Sequence, residues 1–240
     1  MTINNKIEIV SKILDLARNA NDHSNRKDIR YVSTHIFALT IQNYLITLIL
    51  SRNLSNLDYL KNNIYEGYEE EDIADLEYNF GGYQTNALLI NLFVYLENHI
   101  RQIANHYETD SRTLNVNSIT NTFKNIINRD KLELFANHIT NEDLKLFEFF
   151  CYVRNTMHNG GFHSHPDASI NITDSESIFG NTTKSITLEQ NQPNRISFEK
   201  QWILYEQIVK LVIKLNSIIP QTEFIEHRFV QTGFNKEELN

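Results

Sequence analysis

Leu144–His165 reads LKLFEFFCYVRNTMHNGGFHSH, and its pattern decides how the rest of the chain is read. Leu144, Phe147, Phe150, Cys151 and Val153 recur at helical spacing and predict one buried face. Arg154 and His158 stand four apart near the end of that helix, so its pitch sets them on one side, a turn apart. Gly160-Gly161 supplies the stop. At the other end Thr140, with Asp143 three residues on, fits a capping box. An apolar support therefore carries a guanidinium and an imidazole to one rim. Asn155, Thr156, Asn159, His163 and His165 crowd the same place.

On spacing alone this pair reads two ways. Cations in a last helical turn offset the partial negative charge of unpaired carbonyls, and nothing more need be involved. The density of polar groups at the end of so apolar a helix argues for a site. The single Cys151 excludes an intramolecular disulfide framework and a multi-cysteine zinc site, and its apolar setting reads as a buried, inert thiol. His158, His163 and the His163-x-His165 pair could ligate zinc, but Asp167 is the one carboxylate nearby and the segment reads as a loop. No metal and no cofactor is expected.

Outward from this stretch the signals are helical. Ile7, Val10, Ile13, Leu14 and Ala17 predict a first amphipathic helix, followed by a polar loop over Asn21–Arg26. A longer, largely buried helix is predicted over about Lys27–Arg52, and a short one capped by Ser55 through Tyr65. Glu69–Asp72 reads as a solvated run, since contiguous carboxylates cannot all converge on one ion. Phe80-Gly81-Gly82 is the clearest punctuation, and a soft boundary is placed there. Thr85–Tyr107 predicts a strong helix, fading into Glu108-Thr109-Asp110, and Ser118–His138 one or two more.

After the glycine pair, Phe162–Asn181 reads as irregular. Lys184–Glu189 and Arg195–Glu199 alternate as the two strands of a hairpin would. A last helix over about Lys200–Ile218 ends before Pro220. The expected architecture is all-α, a helical bundle with a small β-hairpin before its last helix. Residues 1–80 form an N-terminal helical segment packed on the core, 83–220 the main helical domain, and 221–240 a tail.

Seven Gly and three Pro in 240 residues leave little material for a loop-rich β fold, and 41% hydrophobic residues can fill a core. Thirty acidic against 22 basic residues give a net charge of −8, the wrong sign for a broad face that coats duplex nucleic acid. Any such contact must be confined to a cleft. The N-terminus lacks the apolar core of a signal peptide, and Thr40, Gln42, Asn43 and Thr47 interrupt the most apolar run, Ile36–Leu50. A soluble, cytoplasmic chain without membrane contact is expected.

Tyr152–Gly161 (YVRNTMHNGG) resembles the signature of the HEPN superfamily, in which an Arg-polar pair, a short spacer and a His, often followed by Asn-Gly, end one of the bundle's last helices. The helices around the motif are similar to the family's layout over about Tyr83–Pro220. The family's usual spacer is longer than the three residues between Arg154 and His158, which makes this a tight variant of the pattern. The resemblance implies an all-α domain that cuts RNA without a metal as a homodimer, in a toxin or phage-defence setting with a neutralising antitoxin or other partner protein. It implies Arg154 as stabiliser of the transition state, His158 as proton carrier and Asn155 as positioning group. Asn159, His163 and Glu97 are the further candidates for substrate contact; Glu97, Asn98 and His99 read as the solvent face of the Thr85–Tyr107 helix, with the sharper alternative that Glu97 leans toward Arg154 and orients it.

The chemistry suits those residue types. Internal attack of a 2′-OH needs a group that moves protons near neutral pH and a donor fork for the phosphorus-bound oxygens. Two readings stand against it: a non-catalytic helical interaction protein, and a decayed HEPN domain that binds RNA or a partner without turnover.

Overall fold

A computed structural model describes residues 1–20, 23–107, 118–128 and 133–227. Eight α-helices and one two-stranded sheet are present among them: α1 (Ile3–Asn19), α2 (Ile29–Leu50), α3 (Leu57–Asn63), α4 (Asp72–Tyr107), α5 (Ile119–Asn128), α6 (Glu133–Ala136), α7 (Asn141–His158), β1 (Ala168–Asp174), β2 (Thr182–Leu188) and α8 (Phe198–Ile218). The expected helical bundle with a hairpin ahead of its last helix is therefore present. Glu108-Thr109-Asp110, Asn21 and Asp22, and residues 228–240 lie outside the described residues.

Local signals explain most of the helix starts. Thr2, Asp28, Asn56, Thr140 and Ser197 each accept a hydrogen bond from a first-turn N–H, which satisfies donors the helix cannot. The short third helix is capped by Asn56 and not by Ser55, which belongs to a preceding 3₁₀ turn, Ser51–Ser55. The last helix begins two residues earlier than expected because Ser197 caps it.

One apolar core runs through α1, α2, α4, α5, α7, the hairpin and α8, with Trp202, Tyr205, Phe37, Phe123, Phe147 and Phe150 among its largest members. The N-terminal helices α1 and α2 share it. Phe80-Gly81-Gly82, expected as a break, lies inside α4, which passes through without interruption. Two helical glycines cost about 1 kcal/mol each, and packing of the long α4 over the core overrides that.

The hairpin is real but lies elsewhere than expected. Its strands are Ala168–Asp174 and Thr182–Leu188, antiparallel with Ile170 opposite Ile186. Ala168–Asp174 falls in the segment expected to be irregular, and Arg195–Glu199 forms no strand but leads into α8. The hairpin tip is fastened to α8: buried Glu206 accepts from Ser177 Oγ (2.7 Å) and the Ile178 N–H (2.9 Å), and Lys210 reaches Asp174 (2.6 Å).

Residues 221–227, the start of the segment read as a tail, are fastened to the beginning of α2. Arg30, 4% exposed, donates to both carboxylate oxygens of Asp28 (2.8 and 2.9 Å) and to the carbonyls of Ile219, Pro220 and Glu223. Burial pushes the Asp28 carboxyl up, but Arg30 and the N–H groups of Arg30 and Ile225 together outweigh it and hold the pKa below the ordinary value. Close by, His99 and His227 are buried, and burial pulls them down to about 3 and about 4. Ile29–Ser55 is long and apolar enough to cross a membrane by length and composition, with mean hydropathy 1.3, yet 44% of that window is buried inside the fold.

Candidate functional site

The site is built at the C-terminal end of α7, and the other end of that helix fixes its position. Thr140 Oγ1 accepts from the Asp143 N–H, while Asp143 accepts from the Thr140 N–H (2.7 Å), which completes the expected capping box. Lys214 of α8 also donates to Asp143, at 2.5 Å. Along the helix Phe147 packs edge-on against Phe123 (4.8 Å between centroids) and Phe150 against Phe93 and Tyr205. Cys151 is buried as expected, and burial pushes its thiol up to about 12.

The helix ends in a Schellman turn. The Gly161 N–H donates to the Thr156 carbonyl (2.8 Å), and Gly160 sits at φ +64°, where a side chain would be strained. Beyond it the chain pairs with residues 191–194: His163 and Gly161 exchange backbone hydrogen bonds with Gln192, Asn191 and Asn194. Asn194 also donates through Nδ2 to Thr156 Oγ1 (3.2 Å). The end of α7 is thus clamped to the base of the hairpin.

On that frame Arg154 is half-buried. Its guanidinium lies 4.8 Å over the centre of the Phe93 ring, and Nη1 donates to Asn155 Oδ1 (3.2 Å). His158, one turn on and on the same side, is exposed and makes no hydrogen bond or ion pair among the described residues. A guanidinium held on two sides keeps its remaining N–H donors for an anion, and the neighbouring imidazole is open to a substrate.

The other sequence-derived candidates fall into different places. Asn155 meets Arg154 through that hydrogen bond. Asn159 is exposed, caps α7 and donates to Ser164 Oγ (2.8 Å). Of the three residues read as a solvent face of α4, Glu97 and Asn98 are half-buried and Glu97 pairs with Arg101 one turn along the helix (2.8 Å), as the i,i+4 geometry favours, whereas His99 is 1% exposed because the fold closes over it. Glu97 and Arg154 do both act on the Cys151 thiol, one raising and the other lowering its pKa, which puts them in one neighbourhood.

His163, expected at the substrate, is 1% exposed; its Nε2 donates to the Pro166 carbonyl (2.9 Å) and its ring packs edge-on against Tyr152. It braces the turn from within. His165 joins the same ring cluster, 5.3 Å from Tyr152 and 5.9 Å from His163. Among the described residues no group of three His, Cys, Asp or Glu side chains is placed to hold a metal ion. Sequence reasoning missed Phe93, the platform under Arg154, and Asn194, which ties Thr156 to the hairpin. Both come from distant parts of the chain and carry no local signal.

Compared with protein-family models, with curated proteins and with solved structures, the chain gives no match.

Proposed function

We propose that the protein is a metal-independent RNA endonuclease of HEPN type, acting as a homodimer in a toxin or phage-defence system. The observation that carries this reading is the state of the α7 terminus: Arg154 seated on Phe93 and Asn155, beside an unpartnered, exposed His158. A preset guanidinium needs little reorganisation to meet charge that develops on a phosphoryl group.

In the proposed reaction the imidazole of His158 in one copy takes the proton of a ribose 2′-OH as that oxygen attacks the adjacent phosphorus. The Arg154 guanidinium donates to the non-bridging oxygens. The P–O5′ bond breaks, and the imidazolium of the second copy's His158 gives its proton to the departing 5′-oxygen. The products are a 2′,3′-cyclic phosphate and a 5′-hydroxyl. Basic character need exist only in this cleft, which agrees with an acidic chain of net charge −8.

Purified protein incubated with total RNA, with and without EDTA, tests the proposal. Cleavage should persist in EDTA and fall at least about a hundredfold in His158→Ala, the low end for losing a general acid–base, with the melting temperature unchanged. Full activity in that variant ends the proposal. A second reading, a non-catalytic interaction protein, draws support from the exposed apolar side chains on α2 and α4; it requires that the wild type leave RNA intact.

A further inference from the structure

Between Tyr31 and Ser51 the chain has no Asp, Glu, Lys or Arg, and between Gly81 and Leu96 it again has none, although 22% of all residues are charged. These two stretches are α2 and the middle of α4, which pack against each other. Helices on a water-facing surface ordinarily carry their charges on the outer side. Here Leu39, Ile46, Ile49 and Leu50 of α2 are exposed, Leu50 by 59%. Leu39, Ile46 and Leu50 fall on one stripe by helical pitch. On α4, Tyr83, Ile90 and Val94 form a matching stripe, exposed by 74%, 45% and 42%.

A groove of about 260 Å³ runs between the two helices, lined by Thr40, Tyr44 and Thr47 on one side and Gln84, Leu88 and Asn91 on the other. Gln84 is 5% exposed, and its side-chain nitrogen has no hydrogen-bond partner. A buried amide left unpaired is costly, and an acceptor entering the groove would satisfy it.

We infer that this uncharged α2/α4 face is where a second copy of the chain docks. The inference rests on the reading above that the site is completed by two copies. Area supports it: the seven side chains leave on the order of 600 Å² in water, the upper end for a lone monomer's largest patch. With the Asn, Thr and Gln groups around them, the face approaches the roughly 800 Å² that each partner gives a stable interface.

Composition supports it too, because interface centres are depleted of charge and enriched in tyrosine. Continuity with the site singles out a second copy as the occupant. The α4 stripe runs on into Glu97 and Arg101, and Phe93, which carries Arg154, is the neighbour of Val94 on the same helix. A second copy supplies the second Arg154 and His158, which one protomer lacks. A lipid surface fits less well. Helices that lie on membranes flank their apolar side with Lys and Arg, whereas this chain is acidic and α2 is anchored in the core by Arg30.

Sedimentation velocity on the full chain at micromolar concentration should give twice the 28.2 kDa protomer mass. Ile46→Glu and Ile90→Glu, both at exposed positions, should each weaken the dimer about a hundredfold or more, because a carboxylate would be stranded in a desolvated interface. Circular dichroism should show both variants folded, and Ile64→Glu, an exposed position on α3's end, should leave the dimer intact. A nitroxide on Asn91→Cys, with Cys151 buried and unlabelled, should show dipolar coupling between copies in the wild-type background.

A monomeric wild type, a dimer that survives both glutamates, or absence of coupling overturns the inference. So does flotation of the protein with phosphatidylglycerol vesicles that the glutamates abolish. A dimer that both glutamates break but that leaves RNA uncut would uphold this interface and refute the nuclease reading alone.

Discussion

Lowering the pH from 7 to 5 should destabilise the protein by about 4 kcal/mol through two histidines, and replacing one of them should remove half of that. His99 is 1% exposed, and neither ring nitrogen reaches a hydrogen-bond partner. Burial is the main cause of its fall to about 3, the neighbouring His227 adds to it, and contacts with Asn216 and Asp28 oppose it. In the unfolded chain the imidazole titrates at about 6.5. Between these two values the unfolded state binds a proton that the folded state refuses, so stability rises with pH across the window. It is complete above about pH 6.5 and is lost as the pH falls toward 3.

At pH 5 the unfolded pKa lies about 1.5 units above the solution, which at 1.36 kcal/mol per unit gives about 2 kcal/mol for His99. His227, drawn down to about 4 by burial, contributes a similar amount. Carboxylates titrate lower: Asp28 and Asp174 are held below their ordinary value, so the stability they add is lost only in stronger acid. Urea unfolding at pH 7 and pH 5 reads the effect directly. His99→Leu, close in volume, should shrink the difference between the two pH values by about 2 kcal/mol whatever it does at pH 7. Equal pH dependence in wild type and variant would show that His99 is not buried uncharged.

Arg30→Met should lower unfolding stability by about 3–5 kcal/mol, because it strands the Asp28 carboxylate inside the fold; a urea midpoint within experimental error of wild type would contradict the clamp. Gly160→Ala should cost about 1–2 kcal/mol in the same assay. A Cβ there meets nothing within 4 Å, so the loss would be purely one of backbone conformation at φ +64°. The Cys151 thiol should react with a disulfide reagent only on unfolding, since burial raises its pKa to about 12 and little thiolate exists in the native state. Rapid modification of the folded protein would refute its placement.

The helices were legible where local chemistry decides them. The capping box at Thr140, the periodic faces of α1 and α7 and the glycine stop after His158 need only near neighbours in sequence. Arg154 and His158 share a side for the same reason. Legibility failed where distant partners decide. Ala168–Asp174 alternates, but its pairing with Thr182–Leu188 depends on a tip held by Glu206 from α8, while Arg195–Glu199 alternates equally well and yields to the Ser197 cap. Phe80-Gly81-Gly82 carries strong breaker residues, and core packing overrode them. Glu97–Arg101 was a pairing the i,i+4 rule could have found. The burial of His99 and His163 was beyond reach, because a histidine's exposure is set by what folds over it.

The embrace of residues 219–223 by Arg30 has a consequence for biosynthesis. The guanidinium that starts α2 leaves the ribosome about 190 residues ahead of the carbonyls that satisfy it. Until they emerge, the base of α2 has a charge with nowhere to settle except beside Asp28 in water. The last contacts at the base of α2 therefore form only after this segment emerges, and a chain interrupted before it would lack them.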